Sequence, residues 1–166
     1  MISLPQAKAK ALRDNFLVGL LEAALRTEPD RVEWLMMLGE AYTARGDYAR
    51  GLEVDLKLSR LTPRDAVVWY NLACSYSLTG GTTESLTALE RAVRLGYRDG
   101  DFMERDRDLR AVRQDPRFAA VRDLVLRLQE EEGDPEGGDG GEGADGEEGE
   151  GEGGPAPGGE EENEGG

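Results

Sequence analysis

Residues 32–65 read VEWLMMLGEAYTARGDYARGLEVDLKLSRLTPRD, and residues 66–99 read AVVWYNLACSYSLTGGTTESLTALERAVRLGYRD. Superposed at a spacing of 34 residues they share eight identities: Leu38/Leu72, Tyr42/Tyr76, Gly46/Gly80, Leu52/Leu86, Arg60/Arg94, Leu61/Leu95, Arg64/Arg98 and Asp65/Asp99. Each unit reads as two helices and two breaks. Over Val32–Ala44, Leu35, Leu38, Ala41 and Tyr42 are spaced for one helical face. Gly46-Asp47 interrupts it, because glycine tolerates the left-handed conformation that a helix end needs. Helical spacing resumes with Leu52, Leu56, Leu58 and Leu61, and Pro63 stops it. The second unit repeats the plan with Trp69, Leu72, Ala73 and Tyr76, a break at Gly80-Gly81, then Leu86, Leu89, Ala92 and Leu95.

The pattern resembles the tetratricopeptide repeat, whose period is 34 residues and whose first helix carries W-x2-L-G-x2-Y. Leu38-Gly39-x-x-Tyr42 and Pro63 match in the first unit, and Trp69-x-x-Leu72-Ala73-x-x-Tyr76 matches in the second with Ala in place of Gly. The departures are mild. Trp34 stands one position before the expected aromatic, Gly51 and Ser85 replace a small Ala, and Tyr97 takes the place of the closing Pro. The resemblance implies an all-α fold, a superhelix of stacked helical hairpins.

The register extends backwards. Arg26 and Pro29 lie 34 residues before Arg60 and Pro63, so Leu17–Arg26 reads as the second helix of a truncated unit, with Gln6–Asn15 as a helix before it or continuous with it. Forwards, the 34-residue register fails after Asp99. The stretch Arg107-Asp108-Leu109 to Asp115-Pro116-Arg117-Phe118 is similar to the closing module of many bacterial proteins of this family. Asp115 suits a helix cap and Pro116 a first helical turn, while Phe118, Val121, Val125 and Leu128 form a stripe that would cover the apolar end of the stack. The expected organisation is a partial repeat over 1–31, repeats over 32–65 and 66–99, a cap over 100–130 and a tail over 131–166.

The tail holds 15 acidic residues, 15 glycines and no Lys or Arg. It cannot bury enough apolar surface to offset its ordering entropy, so disorder is expected. Removing it from the total leaves 20 acidic and 20 basic residues, and the net charge of −15 therefore belongs to the tail alone. The rest of the composition excludes function classes. There is no histidine, one cysteine (Cys74) and no GxxxxGK[ST] loop. The commonest general base, the commonest metal ligand and the usual phosphate cradle are thus missing, and neither catalysis nor a cofactor is expected. No apolar run reaches the length of a membrane helix, and the chain reads as cytoplasmic. Seven arginines over 100–130 are balanced by seven acidic residues, which argues against direct nucleic-acid binding.

The family resemblance implies a partner site on the concave face formed by the first helix of each repeat. Its register maps that face onto Glu33, Met36, Glu40 and Thr43, and onto Val67, Tyr70, Cys74 and Ser77, with Asn71 beside them as a frequently polar position. Met36 and Tyr70 equally suit packing between repeats; Trp34 and Trp69 read as core, and Cys74 as a small buried residue. The face is apolar with some acid and lacks Lys and Arg, so the family's carboxylate clamp for acidic peptide ends is not expected, and apolar peptides or a helix with a positive end suit it better. Two readings follow. A protein or peptide docks in the groove with little salt dependence, or the tail gathers a basic protein with steep salt dependence. The oligomeric state stays open.

Overall fold

The computed structural model describes residues 6–133. Seven α-helices follow one another: α1 (Gln6–Ala24), α2 (Val32–Ala44), α3 (Tyr48–Leu61), α4 (Ala66–Leu78), α5 (Thr82–Arg94), α6 (Gly100–Arg105) and α7 (Arg117–Gly133). Two 3-10 turns, Arg107–Leu109 and Val112–Gln114, lie between the last two. No strand occurs among the described residues. Helices α2 and α3 form one hairpin, α4 and α5 the next, and α3 packs on α4 to stack them.

The repeated residues are those that fix the ends of the helices. Gly46 and Gly80 take φ of 77° and 86°, and the amide that follows each returns to the tyrosine carbonyl of the preceding helix, Asp47 to Tyr42 at 2.9 Å and Gly81 to Tyr76 at 2.8 Å. This is the closure that a left-handed residue permits at a helix C-terminus. The second unit ends in the same way at Gly96, with φ 108° and Tyr97 N–H donating to the Ala92 carbonyl. A glycine stop thus stands where the first unit uses Pro63, which accounts for Tyr97 in the proline's place. Asp65 accepts from the Val67 and Val68 amides, and Asp99 from the Phe102 amide, so the Asp65/Asp99 identity is a pair of helix caps. Lys57 and Arg91, also 34 residues apart, each donate to a carbonyl of the preceding linker, Pro29 and Pro63.

At the N-terminal end α1 is one unbroken helix. Its second half packs on α2 as the second helix of a hairpin would, and Val18 and Leu21 join Leu35, Leu38 and Leu58 in an apolar cluster. At the other end the placement of helices outlasts the sequence identity. Helix α6 starts 34 residues after α4, and α7 starts 34 residues after Thr83, whose hydroxyl accepts from Arg117 at 3.3 Å. The closing segment is therefore a third hairpin whose first helix has collapsed to α6 and the two turns. Helix α7 lays Phe118, Val121, Leu124 and Val125 on a second cluster that holds Leu72, Leu89, Val93, Met103, Leu109 and Val112. It continues to Gly133, beyond the boundary expected at 130, and there Glu132 pairs with Arg98 at 2.5 Å. The remainder of the tail, for which disorder is expected, lies outside the described residues.

Between the two clusters sits a polar contact. Ser75 donates to the buried Asp55 carboxylate at 2.5 Å, where the second hairpin, 34 residues on, carries the buried Leu89. Gly39 leaves the space that this carboxylate uses, since a Cβ there would stand 3.1 Å from Asp55 Oδ1. Burial, opposed by the Ser75 hydrogen bond and helped by the nearby Glu40 charge, raises the Asp55 acid to about 6.

Candidate functional site

The first helices of the two hairpins, α2 and α4, line up and leave a cleft of about 480 Å³. Met36, Gly39, Glu40, Thr43 and Ala44 of α2 form one wall. Tyr70, Asn71, Cys74, Ser75 and Leu78 of α4 form the other, with Asp55 of α3 between them. Phe102, Asp106 and Asp108 from the closing segment bound the far end.

Six of the nine residues expected on this face line the cleft: Met36, Glu40, Thr43, Tyr70, Asn71 and Cys74. Three do not. Glu33 is exposed and paired with Arg31 at 3.0 Å. Val67 projects beside the cleft at 49% exposure. Ser77 is turned inward, and its hydroxyl has no hydrogen-bond partner among the described residues. Trp34 and Trp69 are half-buried outside the cleft. Trp69 donates to the Pro63 carbonyl at 3.0 Å, and the Arg91 guanidinium lies 4.0 Å above its ring.

Tyr70 is the hinge of the arrangement. It is buried, its ring stacks on Tyr97 with centroids 4.3 Å apart and planes 7° apart, and its hydroxyl donates to Asp106 at 2.7 Å. The same Asp106 oxygen takes the Cys74 thiol at 3.6 Å, while its other oxygen accepts from the Asp108 amide. Burial, and then the Asp106 charge, drive the Cys74 thiol far above its ordinary range, so this sulfur is a poor nucleophile. Burial likewise pushes the Tyr70 phenol upward. Asp108 is raised by burial and by Asp106.

The cleft is more acidic than the repeat register alone implies. Glu40, Asp55, Asp106 and Asp108 line it, and no Lys or Arg does. The residue-by-residue register missed the two aspartates of the closing segment, although a signal existed. Glu40, Cys74 and Asp108 form one column at 34-residue steps, and carrying the step once past Asp99 lands on Asp108. The face expected from the two repeats, apolar with some acid and no base, gains Asp55 from α3 and Asp106 and Asp108 where the closing segment bounds its far end. A larger cavity of about 620 Å³ lies between α6 and α7 and is lined by charges of both signs, with Arg122 3.6 Å from Glu104 and Arg98 paired with Glu132. The described residues contain no group of His, Cys, Asp and Glu side chains arranged to hold a metal ion. None of their helices is long and apolar enough to cross a membrane.

The chain resembles two structures of MamA. It matches the one designated MSR-1 C2 with a TM-score of 0.53 and 17% identity, covering 76% of this chain and 73% of that one. The other gives 0.51 and 18%, over 80% of this chain and 98% of that one. The fold is that of a tetratricopeptide-type solenoid. No protein-family profile matches the chain. Among curated proteins it is 35% identical over 83 residues to a chloroplastic protein of Arabidopsis thaliana, 48% of this chain and 25% of that protein. It is 29% identical over 86 residues to Superkiller complex protein 3 of Mus musculus, 52% of this chain and 6% of that protein. The chain spans a quarter or less of these curated relatives.

Proposed function

We propose that this protein is a non-catalytic interaction scaffold whose α2–α4 cleft receives a peptide or helix presenting a Lys, an Arg or another cation among apolar side chains. The observation that carries this reading is the lining itself: an apolar surface from Met36, Leu78 and Phe102 with four carboxylates and no base. A cation entering there would meet acids already desolvated by the fold, and it would draw Asp55 and Asp108 back toward ionisation. Mouse Superkiller complex protein 3 carries membership of a complex in its name, in keeping with a scaffold role for repeats of this kind.

A second reading rests on the composition of residues 131–166, whose 15 acidic residues suit a basic protein partner. One experiment separates the two. Proteins are captured from the native cell with the full chain, with a chain ending at Gly133, and with full chains carrying Met36→Glu or Glu40→Lys. The cleft reading expects capture by the shortened chain and loss in both cleft variants. Capture that survives Glu40→Lys but disappears on shortening assigns the partner to the tail and rejects the cleft.

A further inference from the structure

In the complete hairpins, the second helix is covered by the first. Val54 of α3 is buried, with its Cγ1 facing Gly39 of α2, and Ala88 of α5, 34 residues on, is buried as well. The residue 34 positions before Val54 is Leu20 of α1, and it is 55% exposed. The reason is topological. Where a hairpin would fold its first helix back, Gln6–Asn15 instead runs straight on as the leading half of α1. The uncovered face carries Leu12, Phe16 and Leu20, 64%, 72% and 55% exposed, at helical steps of four residues. Gly19 and Ala23 are exposed beside them, and no atom lies within 4 Å of a Cβ placed on Gly19.

We infer that this face is the contact of a homodimer, in which each copy's Gln6–Asn15 arm serves as the missing first helix for the other. Two observations select a second copy. The first is that the stripe is a palindrome. Leu12 and Leu20 are equidistant from Phe16, so an antiparallel pair of α1 helices crossing at Phe16 sets Leu12 of one copy on Leu20 of the other. A twofold contact requires this self-complementarity. The antiparallel sense is also that of the two helices within each hairpin of this chain. The second is charge. The arm carries Lys8, Lys10, Arg13 and Asp14, a net +2, whereas the rest of α1, Phe16–Ala24, carries Glu22 alone, a net −1. Antiparallel pairing about Phe16 sets Lys10 of one copy level with Glu22 of the other. Residues 134–166 of the same chain are no substitute, because their acids and glycines offer little to an apolar stripe beyond Ala144 and Ala156.

The test is the mass of the full chain in solution by sedimentation equilibrium, with Phe16→Glu as the variant. Phe16 is exposed, so the variant should keep the helical circular dichroism of the parent. A concentration-dependent dimer that Phe16→Glu converts to monomer is the expected result. Cross-linking fixes the register. Phe16→Cys should form a disulfide with its own copy, and a mixture of Leu12→Cys and Leu20→Cys chains should cross-link more than either alone, with buried Cys74 silent. A parent that is monomeric at every concentration, or a dimer indifferent to Phe16→Glu, overturns the inference. So does a Leu12→Cys chain that cross-links to itself better than in the mixture.

Discussion

At the scale of single residues, Asp55 is the side chain whose chemistry departs furthest from what the repeat pattern asks. The equivalent position in the next hairpin is a buried leucine, and a carboxylate there is tolerated because Ser75 donates to it and Gly39 gives it room. Its acid titrates near 6 in the folded chain against an ordinary value of 3.8. Between those values the folded state holds a proton that the unfolded state has released. Stability therefore falls as pH rises through that window and levels off above it. Asp55→Asn keeps the shape and cannot ionise. It should be more stable than the parent by about 2 kcal/mol at about pH 7.5, with the difference closing at about pH 4. Urea melts of both chains at the two pH values measure this, and an equal difference at both would mean that Asp55 does not titrate in this window.

At the scale of elements, the closing segment shows how an irregular stretch is held by a few polar atoms. Asp106 caps the first 3-10 turn, accepts from Tyr70 and takes the Cys74 thiol, so one carboxylate ties the segment to α4. Replacing it by Ala leaves the Tyr70 hydroxyl buried without its acceptor, at a cost of about 1–3 kcal/mol. The native thiol reports the same event. Cys74 should react very slowly with a soluble disulfide reagent in the parent and clearly faster in Asp106→Ala, where the segment lifts and the repelling charge is gone; unchanged reactivity would mean that the segment does not gate the sulfur. Helices α2 to α5 were legible because glycine, proline and aspartate at 34-residue steps each perform one backbone task. The collapsed first helix of the closing hairpin was not legible as such. Its anchors are tertiary, Tyr70 to Asp106 and Arg113 to the Asp106 carbonyl, and periodicity within 100–116 does not encode them. The same lapse hid two acidic residues of the cleft, whereas Met36, Glu40, Thr43, Tyr70, Asn71 and Cys74 followed from register alone. Ser77 escaped because a one-residue rotation of the helix face separates a lining position from a packed one.

At the scale of the whole described stack, stability in a solenoid is the sum of hairpin terms and the contacts between neighbours, so it need not be uniform. The cluster formed by α1 to α3 with Val68 contains nine buried apolar residues, and one face of α1 is open. The cluster formed by α4 to α7 contains sixteen and is closed by α7. What joins them includes the Asp55–Ser75 contact, a buried ionisable group where an apolar pair would otherwise knit the two halves. In the Phe16→Glu chain, where no second copy covers that face, the N-terminal half should therefore open on its own. In native-state hydrogen exchange under rising denaturant, amides of α1 to α3 should exchange through a shared opening of lower free energy than those of α4, α5 and α7, which should approach the global value. Because the weak seam is the carboxylate, Asp55→Asn should narrow that gap at neutral pH and leave it almost unchanged in acid. A single opening free energy for all the helices would show instead that the stack unfolds as one unit, with no seam at Asp55.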